Sequence, residues 1–443
     1  MGPIDKTAAE LPRKLNLMDT ALLLVGATIG SGIFVVPSLI ARRISQPGFV
    51  IAIWIFSGLL VLCGALTLAE LGAMLPHPGG LYVYIREAYG PFWGFLYGWT
   101  NFLVVMSAPI AALTAAFLLY LKYLFPMDLW VEKAVGIVAI LLLAWINSRG
   151  VEWGARVQNL FTFLKVAGIA GLVAVAVALR PGHFSNFRPL WPEHFSAGLL
   201  SAIGVAMIST LFAYDGWHFV GFAAGEIRQP QRNVPYGIFL GVLIVIAVYV
   251  SANLAYIYVL GQPAVAASSR VAADAMTVMI GGTGGTLITL AILCSTFGAI
   301  SANVLAGPRI FFAMARDGVF PRWAAEIHPR YQTPSHAIWM LSIWSALLTL
   351  TGGYEHLITM AMFAAWILFA MAVASVIVLR RRHPDWPRPY RLAGYPWTAL
   401  VFVVVAVVFV VNTLFEKPGS SLFGLVLVLA GVPVYLWRVG RAF

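Results

Sequence analysis

Apolar runs long enough to cross about 30 Å of hydrocarbon recur along the whole chain, on the order of twelve of them. A water-soluble globule does not tolerate that pattern. With 61% hydrophobic and 10% charged positions, the 443 residues leave little over for a soluble domain. The runs lack the ten-residue alternation of a membrane barrel, so helices that satisfy their own backbone groups are the expected spanning elements. The first run, 17–41, follows the polar stretch from Asp5 to Asn16 without a small-residue cleavage site, which argues against a removable signal peptide.

The net charge of +11 forms no basic stripe interleaved with aromatics, so nucleic acid is not an expected partner. Lys and Arg fall instead in the loops between runs. A cytoplasmic N-terminus puts more than twice as many of them inside as outside, with "RRRHPDWPRPYR" as the strongest inside marker and Arg42 and Arg43 as the exceptions. The expectation is a multi-pass protein of the inner (plasma) membrane, in contact with the lipid bilayer, with both termini cytoplasmic. Cys63 and Cys294 lie in separate runs with no CxxC or His-rich spacing, so neither a metal site, a cofactor nor a disulfide is expected.

Two runs are weakened where a bilayer most punishes loose backbone. "VGATIGSGIFVVP" sets Gly30, Ser31 and Gly32 in succession, and the sixth run, 197–227, carries Asp215-Gly216 in "FAYDGWHFVG". The glycine pairs Gly26/Gly30 and Gly221/Gly225 also suit close helix packing, but packing does not call for an aspartate at membrane depth. Non-helical backbone is tolerated there only where protein or a hydrated cavity satisfies it. Each break makes fresh helix ends whose amides attract anions and whose carbonyls attract cations, so crossed half-helices suit a zwitterion such as an amino acid. The breaks occupy corresponding places in two five-span halves of opposite orientation, the pointer to an inverted-repeat transporter with a site near the midplane. The expected organisation is a cytoplasmic segment 1–16, a first repeat 17–180, a second repeat 197–380, and two additional helices in 398–440.

"GATIGSGIF", "LAELGAMLPHPGGLYVYIREAYGP", "FAYDGWHFVGFAAGEIRQPQRNVP" and "GPRIFFAMARDGVFP" resemble the amino acid-polyamine-organocation superfamily, closest to L-type amino acid transporters and their bacterial relatives. The resemblance covers nearly the whole chain. It implies an all-α integral membrane fold with 12 transmembrane helices, a LeuT-type 5+5 inverted repeat plus two helices, and discontinuous helices 1 and 6. It implies that the amides of Ser31 and Gly32 hold the substrate carboxylate, with Gly30 permitting close approach. Carbonyls of Thr28 or Ile29 and of Phe212, Ala213 and Tyr214 would hold the ammonium. Phe212 matches an aromatic that closes over substrate, and Trp217 would flank the pocket.

Lys165 matches the fifth-helix lysine of this family, where the ammonium substitutes for sodium and ties the first break to the fifth helix. Asp215 departs from the glycine common in L-type relatives; it either caps exposed amides, or contacts the substrate ammonium or titrates. Met106, Ser107, Ser295 and Ser301 are further candidates from the third and eighth helices. Glu70 and Arg86 flank an expected inner gate, or pair elsewhere on the surface. Glu226, Arg228 and Arg232 fit pairing at the end of helix six. His218 reads as packing without an acidic partner, and Tyr256 and Tyr258 as interface anchors.

The resemblance points to a secondary transporter that exchanges neutral L-amino acids without sodium, with no catalytic residues. Proton-coupled uptake, or transport of cationic amino acids or polyamines, is the alternative, and a membrane-embedded enzyme a remote one. Animal L-type proteins join a single-span glycoprotein through a cysteine between helices three and four. The corresponding loop, "KYLFPMDLWVEK", has none, so no covalent heavy-chain partner is expected.

Overall fold

The computed structural model describes residues 15–75, 79–149, 151–194, 196–223 and 227–439. Regular structure among them is helical, apart from one isolated bridge between Leu15 and Ile227. Helix α1 (Leu17–Thr28) opens on a capping box: Asn16 accepts from the Asp19 amide and Asp19 from the Asn16 amide, both at 2.9 Å. Two donors that a helix start leaves without partners are thereby satisfied. After Ile29, Gly30 and Ser31, α2 (Gly32–Ala41) departs at 51°.

Helix α3 (Pro47–Met74) returns across the bundle, and α4 (Leu81–Tyr89) packs beside α5 (Pro91–Thr100). A π-helical turn (Asn101–Val105) joins α5 to α6 (Ser107–Leu124), and α7 (Leu129–Ser148) and α8 (Val151–Leu179) follow. Helix α9 (Ala197–Ala213), capped by the Ser196 side chain, stops at a turn through Tyr214, Asp215 and Gly216. Beyond it lie a 3-10 turn (Trp217–Phe219) and α10 (Val220–Ala223). The chain continues through α11 (Pro230–Leu260), α12 (Gln262–Ala267), α13 (Val271–Ala306), α14 (Pro308–Arg316), α15 (Ser335–Leu348) and α16 (Tyr354–Arg382). It ends with α17 (Trp397–Glu416), α18 (Pro418–Leu429) and α19 (Gly431–Val439).

Among the described residues, 8 helical stretches are long and apolar enough to cross a membrane, and the bent α1–α2 pair makes up to 9. Shorter apolar helices lie within α8, α9 and α15. By this measure 8 or 9 spans stand against the twelve expected from sequence, and the sixth expected run, 197–227, continues as α9 only to Ala213 and includes 224–226, outside the described residues. The connection between residues 261 and 283 is more than loop, however: α12 and the first turns of α13 bury Val265, Val271, Ala272 and Met276, and a kink at Ile280 and Gly281 separates them from the apolar run.

Broken α1 packs on α11, α8 on α13, and α2 on α9, so both discontinuities sit inside the bundle. Tyr256, expected at an interface, is 1% exposed because α11 turns that face inward; Tyr258 is half-buried at the end of the same helix.

Glu70 and Arg86 do not meet. Glu70 is buried and holds Arg380 through two hydrogen bonds, at 2.8 and 2.6 Å, accepts from the Leu392 amide at 2.7 Å, and lies 3.7 Å from Arg388 Nε. One carboxylate thus pins the loop after α16 to the end of α3. Arg86 instead pairs with Glu87 and with Asp317 just after α14. The Tyr82 hydroxyl also donates to Asp317, at 2.8 Å. Burial and the Asp317 carboxylate push the Tyr82 phenol above its ordinary value, which keeps it a donor. Glu226 lies outside the described residues, and the Arg228 amide donates to Leu15 O at 2.8 Å beside the Leu15–Ile227 bridge; exposed Arg232 forms no ion pair among the described residues.

Removing a buried carboxylate that neutralises two partly buried guanidinium groups leaves those charges without a partner. Glu70→Ala is therefore expected to cost about 3 kcal/mol of stability, read as a lower thermal unfolding midpoint of the purified protein. An unchanged midpoint contradicts the pinning role.

Candidate functional site

The two breaks are in contact. Gly32, the first residue of α2, lies so near α9 that a Cβ there would come within 2.5 Å of Ala213 Cβ and 2.6 Å of Ala213 Cα. Gly216 has φ +111°, a region that favours glycine, and a Cβ on it would lie 2.7 Å from the Ala27 carbonyl oxygen. Side chains at these two positions would force the half-helices apart. Gly30 differs: a Cβ there meets only Leu113 Cδ2 at 3.6 Å and Ala299 Cβ at 3.9 Å. It borders open space.

That space is a cavity of about 40 Å³ lined by Ala27, Thr28, Gly30, Ser31 and Gly32 of the first break, and by Phe212, Ala213, Asp215, Gly216 and Phe219 of the second. Pro109 and Leu113 of α6 and Ala299 and Asn303 of α13 complete it. Helix α2 begins without a side-chain cap on its amides, so its first N–H groups are helix-start donors directed at the break. Tyr249 of α11 puts its hydroxyl between the carbonyl ends of both interrupted helices, 3.1 Å from Thr28 O and 2.7 Å from Ala213 O. One proton serves two acceptors there, leaving lone-pair capacity for a further donor.

Lys165 of α8 is 2% exposed and does not reach the surface; its Nζ donates to Gly26 O at 2.5 Å. Among the described residues it forms no ion pair, and the Gly26 carbonyl near the end of α1 is its hydrogen-bond acceptor. Asp215 lies on the cavity wall with Oδ1 3.5 Å from His218 Nδ1. His218, expected to pack without an acidic neighbour, therefore has one a single turn away, and its ring also packs against Phe369 and Phe219.

Of the residues singled out by sequence, Thr28, Gly30, Ser31, Gly32, Phe212, Ala213, Asp215 and Gly216 line the cavity. Ile29, Tyr214 and Trp217 do not. Ile29 is fully buried. Tyr214 turns toward α3, donating to Trp54 O at 2.9 Å, and Trp217 packs on Phe369 and Phe402. The third and eighth runs do contribute, but through other residues than Met106, Ser107, Ser295 and Ser301. Ser301 is engaged by Asn147 at 3.0 Å. Pro109 and Leu113 lie on the same face of α6 as Met106, three and seven residues further along the helix, so the cavity meets α6 at a different depth. Tyr249 escaped notice because nothing in an apolar run marks which tyrosine faces a break. Among the described residues no group of His, Cys, Asp and Glu is arranged to hold a metal ion.

Residues 15–435 match the amino acid permease family. The chain belongs to that family. It is 32% identical over 435 residues to the serine/threonine exchanger SteT of Bacillus subtilis, covering 96% of each chain. It is likewise 32% identical to the large neutral amino acids transporter small subunit 2 of Rattus norvegicus, over 97% of this chain and 81% of that one. To the human cystine/glutamate transporter it is 29% identical, over 98% and 86% respectively. The motifs thus pointed to the correct superfamily, and this amino acid permease is a membrane transporter, not an enzyme.

Gly32→Ala is expected to lower the thermal midpoint of the permease, by an overpacking cost of about 1–3 kcal/mol. Gly30→Ala should melt as wild type, and Gly30→Leu should fold yet fail to bind amino acid in an equilibrium binding assay because its side chain fills the cavity. Wild-type stability of Gly32→Ala, or wild-type binding by Gly30→Leu, contradicts this division between a packing glycine and a cavity glycine.

Proposed function

We propose that the permease exchanges neutral L-amino acids across the inner (plasma) membrane without sodium, by alternating access through twelve spans, with both termini in the cytoplasm. The observation that carries this reading is a cavity walled by both helix breaks, lined by Ser31 and Gly32 at the start of α2 and by Thr28 and Ala213, whose carbonyls end α1 and α9. A zwitterion matches that polarity: its carboxylate on the Ser31 and Gly32 amides, its ammonium toward the carbonyls, beside Phe212 and Asp215. Residues 17–180 and 197–380 act as two inverted repeats that each contribute one break, and 398–440 lie outside them.

Lys165 supports sodium independence. A cation fixed on Gly26 O steadies the first break as a bound sodium ion would, without needing to be recruited. Exchange is supported by the name and near full-length coverage of the bacillary serine/threonine exchanger. The cavity, at about 40 Å³, is far below the roughly 300–1,000 Å³ of a small-molecule pocket. Substrate entry therefore requires the half-helices to move. The chain works without a covalent heavy-chain partner in this reading, since the loop before α7 offers no cysteine.

Asp215 on the cavity wall favours a second reading, proton-coupled uptake. Proteoliposomes separate the two. Counterflow should depend on a neutral amino acid preloaded inside and survive replacement of sodium by choline. Uptake into amino-acid-free vesicles driven by a pH gradient supports the second reading instead, and a sodium requirement overturns independence. Lys165→Ala removes a charge-assisted hydrogen bond worth about 1.5–3 kcal/mol. Its turnover is expected to fall by about tenfold or more; wild-type exchange refutes the role given to the lysine.

A further inference from the structure

A second cavity, of about 250 Å³, opens on the face opposite the N-terminus, between α2, α9, α16 and the corner joining α17 to α18. Its rim is charged: Arg42 and Arg43 follow α2, Glu355 opens α16, and Lys417 precedes α18. Buried Ser209 and Thr359 add hydroxyl groups to its wall. Glu355 Oε1 accepts from both Arg43, at 3.2 Å, and Lys417, at 3.0 Å. Arg42 is oriented by two carbonyls instead, Ala266 O at 2.9 Å and Ser268 O at 3.3 Å. Those carbonyls fix the guanidinium without neutralising it, so among the described residues lining the chamber three cations stand against one carboxylate.

This cavity adjoins the central one. Ser209 is one turn before Phe212 on α9, and Phe212 lines the central cavity while packing edge-on against Tyr354, the neighbour of Glu355. An aromatic pair thus stands between a roomy, cation-rich chamber and the cramped crossing of the two breaks.

We propose that the chamber is a waiting site for the zwitterionic substrate: Arg42, Arg43 and Lys417 take its carboxylate and Glu355 its ammonium before it passes Phe212. The proposal rests on the exchanger reading. Side chains of Arg43, Glu355 and Lys417 are 37%, 45% and 31% exposed, and ion pairs so open to water exchange partners readily. Guanidinium groups match a carboxylate in geometry as well as charge. A chamber with excess positive charge and a single carboxylate discriminates by class: it accepts zwitterions and anions and disfavours substrates with a net positive charge.

The test measures uptake and efflux separately in cells making the full chain, so that each face has its own KM. In Arg43→Gln/Lys417→Gln, the KM on the chamber face should rise roughly three- to tenfold, with maximal rate and opposite-face KM near wild type. The charge-retaining Arg43→Lys should raise the chamber-face KM less than Arg43→Gln does. In the wild type, raising ionic strength should raise the chamber-face KM alone. A chamber-face KM that ignores both the double substitution and salt overturns the waiting site and leaves exchange intact; equal rises on both faces also overturn it, as a general disturbance. Absence of exchange in the wild type overturns the exchanger reading and this proposal with it.

Discussion

Peptide groups released inside an apolar bundle must find partners, and in this permease that need is met where two interrupted helices cross. The crossing depends on absent side chains. Gly32 lets α2 lie on Ala213, and Gly216 turns the chain against the Ala27 carbonyl. Only with the breaks that close can one tyrosine hydroxyl serve the carbonyl ends of both α1 and α9, and only then do the first amides of α2 open on the same space as Asp215 and Phe212. A lysine brought in from α8 completes the arrangement by taking Gly26 O, two residues before α1 ends.

Charge is distributed accordingly. At the N-terminal face, Glu70 gathers Arg380, Arg388 and the Leu392 amide, while Arg86 and Tyr82 converge on Asp317. At the opposite face, Arg43, Glu355 and Lys417 link α2 to α16 and the α17–α18 corner. These networks bracket a centre in which backbone dipoles replace most charged side chains. An isolated charge at membrane depth is costly, whereas a carbonyl or amide at a helix end carries a partial charge that the helix itself stabilises.

The spans were legible because crossing a membrane imposes length and hydrophobicity on each run, and the breaks because Gly30-Ser31-Gly32 and Asp215-Gly216 violate what a spanning helix requires. The family followed from motifs spread along the chain. Side-chain placement was harder to read. Pro109 and Leu113 line the cavity rather than Met106 and Ser107, and since they lie three and seven residues beyond Met106, on the same helix face, the difference is one of depth along α6. Tyr214 and Trp217 flank the second break in sequence, yet the αL turn at Gly216 sends them toward α3 and toward α16 and α17. Long-range pairing was equally hidden, since Glu70 meets a loop more than three hundred residues away.

The central claim is that exposed peptide groups at the crossing, and not side-chain charges, grip the substrate. An experimental structure of the permease with a neutral amino acid bound tests it most directly. The account predicts the carboxylate on the amides of Ser31 and Gly32 and the ammonium facing the Thr28 and Ala213 carbonyls. A ligand seated away from both breaks, or held solely by side chains, would contradict it.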